Sequence, residues 1–132
     1  MMERIRKKYI CKNQIKKGIS GTKQLLSLFK KKTSIALMID QRVSEGIKSN
    51  FFKQKAFTTT IPGQFVKKFK CKVVPIYIER IKDVNFQLTV HEPLSYSDNE
   101  TIESITLDLN NILEKLILKN PDQWIWSHNR WK

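Results

Sequence analysis

Two short apolar runs govern what this chain can fold into. Ser34-Ile-Ala-Leu-Met-Ile39 and Val73-Val-Pro-Ile-Tyr-Ile78 are apolar without alternation, and each ends abruptly in polar residues, at Asp40-Gln41-Arg42 and at Glu79-Arg80. A run of this length and character suits a strand covered on both faces. Helical patterns lie around and between the two runs. The order helix, strand, helix, strand, strand, helix predicts an α/β domain of layered helix–sheet–helix build around one core. The 132 residues suffice for one such domain, and a hydrophobic share of 40% marks a folding chain rather than a disordered one.

Local patterns fill in the elements. A helix is expected over Glu3 to Tyr9, followed by a break at Gly18 and Gly21. Thr22 is the expected cap of a second helix through Phe29, with Leu25, Leu26 and Phe29 on one face and Lys30-Lys31-Lys32 at its end. Val43 to Thr60 reads as a long irregular stretch. Its centre, Phe51-Phe52, is apolar enough to anchor it to the core or to line a pocket. Thr58-Thr59-Thr60 supplies a cap for a third helix with Pro62 in its first turn, running to about Phe69 with Phe65, Val66 and Phe69 inward. Pro75 removes one ladder donor from the second apolar run, which puts an edge or a bulge there. Asn85 to Val90 alternates, with Phe86, Leu88 and Val90 on one face, and reads as the second arm of an antiparallel hairpin. Ser97 and Glu100 have capping-box spacing before a helical stripe of Ile102, Ile105, Leu109, Ile112, Leu113 and Leu116, stopped by Asn120-Pro121.

Charge is divided along the chain. Residues 1–72 hold 19 basic and 3 acidic side chains, net +16, whereas residues 73–132 hold 6 basic and 9 acidic, net −3. The positive field therefore belongs to the first half, and it favours anionic partners: nucleic acid, anionic lipid headgroups or an acidic protein. The longest unbroken apolar run, Ile35 to Ile39, is far below the roughly 20 residues of a spanning helix. These residues are therefore expected to meet a membrane peripherally, or through a segment not included among them. Cys11 and Cys71 are far apart and lack metal-type spacing, so neither a disulfide framework nor a metal site is expected, and no cofactor.

The tail is the most distinctive segment. All three tryptophans fall in Pro121-x-Gln-Trp124-x-Trp126-x-His128-x-Arg130-Trp131. Aromatics of this kind pack on a core, fill a partner groove or sit at a membrane interface. Together with the apolar strand leading to Asp40-Gln41, Gly46 followed by Phe51-Phe52, Ala56 and Thr58, and Val73-Val-Pro-Ile with Arg80 after it, this tail resembles the lipid A biosynthesis acyltransferase family, from about residue 4 to the end. That family includes lauroyl and myristoyl transferases and belongs to the wider glycerolipid-type acyltransferase superfamily. The resemblance implies residues 1–132 as a single partial acyltransferase domain with an aromatic tail at 121–132.

What the resemblance implies about function is specific. The family moves a fatty acyl group from acyl carrier protein to a hydroxyl of an anionic, phosphorylated disaccharide lipid, at the cytoplasmic face of the bacterial inner membrane; related enzymes acylate mannosylated phosphatidylinositol. Both partners are negatively charged, in keeping with the basic first half. Members carry a His-x4-Asp/Glu pair in which the histidine acts as general base on the acceptor hydroxyl. Here the residue five beyond His91 is Tyr96, and His128 lies too near the end, so no catalytic residue is expected in this chain. The spanning segment usual near the start of such proteins is also missing, and the expectation is of a fragment or an internal start, inactive by itself. Lys53 stands where the family usually has Gly, and Arg42 follows the Asp-Gln pair.

By position, Asp40, Gln41 and Arg80 are expected to line the acceptor side, with Arg80 pairing a phosphate or orienting Asp40, and Phe51 and Phe52 to form part of an acyl-chain wall. The plainer alternatives are an internal Arg80–Asp40 ion pair and two packed rings. Two other readings compete: a basic nucleic-acid-binding module and a non-catalytic interaction module. The tryptophans sit in the half of net −3 and no nucleic-acid motif appears, so nucleic acid is not expected as a partner.

Overall fold

The computed structural model describes residues 2–15 and 18–131, which form two compact units, Met1–Met38 and Ile39–Lys132. The chain is mixed α/β, built of four helices and two small antiparallel sheets among the described residues. The sheets are two-stranded hairpins rather than one layered sheet.

The smaller unit holds α1 (Met2–Tyr9) and α2 (Ile19–Lys30). The expected cap of α2 lies inside it. Gly18, at φ 109°, starts the helix, and Thr22 donates its hydroxyl to the Gly18 carbonyl oxygen at 3.3 Å. Glycine takes that backbone conformation without a Cβ penalty, which lets the helix begin earlier than a Thr cap would. Leu25 is its buried anchor. The run after α2 is not a strand. Residues 33–39 have no regular structure, and Ala36, Leu37 and Met38 are exposed. A strand needs a neighbour to take its N–H and C=O groups, and no described strand pairs with this one.

The larger unit opens with a hairpin where an irregular stretch was expected. β1 (Ile47–Phe51) pairs antiparallel with β2 (Gln54–Thr58), Ser49 opposite Ala56. Ser49, Phe51, Ala56 and Thr58 point inward and are buried, while Lys48, Asn50 and Lys55 are exposed. The alternation is present in the sequence, but two of its inward positions are small hydroxyl side chains, which hides it from an apolar pattern. The turn Phe52-Lys53 has positive φ at both residues, 49° and 62°. Glycine is required at position 46: a Cβ there would lie 2.3 Å from the Thr58 carbonyl oxygen.

α3 (Ile61–Phe69) starts where Pro62 predicts and ends at Lys70, whose left-handed backbone (φ 52°) sends its N–H to the Val66 carbonyl. β3 (Ile76–Lys82) and β4 (Asn85–Val90) form the second hairpin, with a register irregularity between Arg80 and Lys82. The second apolar run is thus paired as expected but begins later, and it is not covered on both faces. Tyr77 and Glu79 are half-buried, whereas Ile76 and Ile78 are exposed. Val73 reaches the core separately, through an isolated bridge to Leu94.

α4 (Ile102–Ile117) organises this unit. Its cap is Thr101 with Ser104, four residues after the expected Ser97–Glu100 pair: Thr101 Oγ1 accepts from the Ser104 N–H, and Ser104 Oγ from the Thr101 N–H, both at 3.1 Å. Ile105 and Leu109 join Val66 in one buried cluster, on which Ile39, Cys71, Val73, Leu94 and Tyr96 pack. A second stripe, Thr106, Asn110 and Ile117, is buried as well. Ile117 joins Phe51 and Ala56, with Phe52, Leu113, Trp124 and Trp131 packed around them.

Candidate functional site

The second cluster is where the tail meets the β1–β2 hairpin. After α4, two short 3-10 turns at Pro121–Gln123 and Trp126–His128 double the chain back. Trp124 meets Phe51 edge-on with centroids 5.7 Å apart, and Trp131 stacks on the same ring, also at 5.7 Å. The indole N–H of Trp131 donates to the Phe51 carbonyl oxygen at 3.1 Å. Phe52, at the turn, packs on Trp126 at 5.6 Å and donates its backbone N–H to Glu114 Oε1 at 2.6 Å. Rings of this size carry large buried area, and edge-on and offset contacts add to it. Trp124 and Trp131 are therefore packed on the core, the first of the three roles open to the tail, whereas Ile125 and Trp126 remain exposed.

Arg130 lies at the centre of this packing and is wholly buried. Its guanidinium carbon sits 4.0 Å from the centre of the Phe51 ring. Nη2 donates to Thr58 Oγ1 at 3.1 Å and to Asn110 Oδ1 at 3.3 Å. Asn110 in turn donates to the Asn50 carbonyl oxygen at 2.9 Å and to Thr58 Oγ1 at 3.1 Å. Arg130 Nε and Nη1 are buried without hydrogen-bond partners among the described residues. Burial pulls the guanidinium below its usual range, and the negative charge of Asp40 acts in the opposite direction. A buried cation needs this kind of compensation, since desolvating it alone is costly.

The five expected site residues divide into three places. Asp40 and Gln41 open the larger unit and are half-buried, with Asp40 near enough to act on Arg130. Phe51 and Phe52 lie under the tail. Arg80 is elsewhere in its contacts: its guanidinium covers the Phe86 ring at 4.6 Å and donates to the Asp83 carbonyl oxygen. Its backbone N–H and C=O pair with the Gln123 side-chain amide, at 2.7 and 3.0 Å. The partners described for Arg80 do not include Asp40. Arg130 and Thr58, which the sequence offers only as parts of motifs, and Asn110, which it does not mark, were not expected at the site. Arg130 stood within the tail motif, and Thr106 and Asn110 stand one helical turn apart on α4, a spacing masked by their polarity.

Two further polar groups bear on chemistry. His91 Nε2 is buried without a partner among the described residues. Tyr96, at the position where a His-x4-acid pair would need a carboxylate, donates its hydroxyl to Asp108 Oδ2 at 2.7 Å. Burial first, and then that bond, push its phenol well above the usual range, so it is a fixed donor rather than an acid.

Comparison with known proteins decides the family. The family model described as bacterial lipid A biosynthesis acyltransferase matches residues 3–132. The chain belongs to that family. No curated protein sequence matches it. The match takes in both units, so the Arg130 cluster, the β1–β2 turn and Asp40-Gln41 all fall inside the family's span. No helix among the described residues is long and apolar enough to cross a membrane.

Proposed function

We propose that this acyltransferase takes part in moving a fatty acyl group from acyl carrier protein to a hydroxyl of a phosphorylated lipid A precursor, at the cytoplasmic face of the bacterial inner membrane. The observation that carries the reading is the family match over residues 3–132, which spans the tail that folds onto Phe51. In this reading Asp40 and Gln41 face the acceptor. The cation of Arg130 keeps Asp40 company from the core side. Phe52, half-buried against Trp126, contributes to the wall for an acyl chain, while Phe51 anchors that wall. Arg80, turned onto Phe86, serves through its backbone link to Gln123 rather than as a partner of Asp40. The net +16 of residues 1–72 draws both the acidic carrier protein and the lipid phosphates toward the membrane surface.

The same reading holds that this chain by itself binds but does not turn over, because neither histidine heads a His-x4-Asp/Glu pair. The test mixes the chain with acyl carrier protein bearing a lauroyl group and with micelles of a phosphorylated disaccharide lipid. Binding to the micelles without transfer is the expected result, and Phe52→Ser should weaken that binding roughly fivefold. Steeply salt-dependent binding to unrelated duplex DNA, with none to the anionic lipid, would instead place the chain among basic nucleic-acid-binding modules.

A further inference from the structure

The β3–β4 hairpin leaves one of its faces uncovered. Cross-strand partners Ile76 and Val90, Ile78 and Leu88, and Arg80 and Phe86 share that face. The five apolar members are 55–61% exposed. Side chains of this exposure each keep roughly 100 Å² in water, so two such faces laid together bury on the order of 1,000 Å², the lower bound for a specific interface and the range of a weak, reversible pair. A contiguous apolar patch of this size lies at the upper end of what a monomer exposes and is often an interaction site. The opposite face is occupied, since Asn120 donates to Tyr77 and Glu79 there.

Charge at the two ends of the face says what fits it. Arg80 closes one end, lying over Phe86. Exposed Glu92 follows two residues after Val90 at the other end. A two-fold pairing of identical faces runs the strands of one copy against those of the other. Each Arg80 then comes opposite a Glu92, and the apolar rows meet between them. A two-fold interface needs self-complementarity of this kind. Residues 73–132, which contain this face, carry a net charge of only −3, so like-charge repulsion between copies is small there.

We propose that the β3–β4 face is a homodimer interface, covered in solution by the same face of a second copy of this chain.

Sedimentation equilibrium of the full chain over a micromolar concentration series tests this. A single transition to twice 15.6 kDa is expected. Leu88→Lys should weaken the association roughly tenfold or more. Arg80→Glu and Glu92→Arg should each weaken it, and the double exchange Arg80→Glu/Glu92→Arg should restore it. If Leu88→Lys does not fold, as judged by circular dichroism, the charge exchange decides alone. A chain that stays at 15.6 kDa at every concentration overturns the proposal. So does growth that does not stop at two copies, or a charge exchange that fails to restore association. Flotation with phosphatidylglycerol vesicles that Leu88→Lys abolishes would assign the face to a lipid surface and equally overturn it.

Discussion

Arg130 is a cation held where water does not reach it, and its neighbours explain how. Phe51 offers a π face, Thr58 and Asn110 accept from Nη2, and Asp40 supplies the opposing charge. Lysine cannot reproduce the flat, stacked guanidinium. Arg130→Lys is therefore expected to lower stability by about 3 kcal/mol, measured by urea denaturation with tryptophan fluorescence, the probe closest to the site. A second charge sits at the surface with a different consequence. Asp98 is held below the usual carboxylate range, by the hydrogen bond from Lys70 first, by the Lys70 charge next, and by Lys67 as a smaller contributor. A carboxyl depressed in the folded state stabilises above its unfolded value, about 3.9, and that contribution is lost as pH falls through the folded value. In Lys70→Gln the Asp98 carboxyl should titrate higher than in the parent chain by NMR, with only the smaller pull of Lys67 left, and the acid limb of the stability curve should flatten.

Elements form here where local sequence and a partner agree, and fail where the partner is wanting. Ser34–Ile39 has the composition of a strand but no described neighbour, and it stays irregular. Ile47–Thr58 looks irregular by apolar pattern, yet pairs, because the small side chains of Ser49 and Thr58 fit inward, and Thr58 Oγ1 donates to the Ala56 carbonyl oxygen and accepts from Asn110 and Arg130. Its turn is built from residues poorly suited to it. A two-residue hairpin turn with positive φ at both positions favours Asn-Gly, and a side chain there costs about 1 kcal/mol. Lys53→Gly is expected to raise stability by about 1 kcal/mol, read as a shift of the denaturation midpoint with an unchanged slope.

At the scale of the molecule, the two compact units divide at Met38 and Ile39. The stretch before that division is exposed, follows three consecutive lysines and makes few backbone hydrogen bonds. Segments of that kind open and are cut first. Brief trypsin treatment should cleave within Lys30–Lys32 ahead of the buried-core sites and leave a fragment containing the whole of the larger unit, identified by mass spectrometry. Fast, even cleavage throughout residues 39–132 would contradict the packing described for that unit.

Periodicity and punctuation were enough to determine α1, α3, α4 and the β3–β4 pairing, because those features depend on neighbours a few residues away. The tail motif and the strand-end residues were likewise enough to indicate the family. Only the tertiary structure decided which faces are covered. Burial is a property of what lies across a gap, and no local pattern contains it. So Ile76 and Ile78, apolar enough for a core, are left uncovered by the rest of the single chain, while Arg130, the least suited to one, is enclosed by residues from 51 to 110 in the chain.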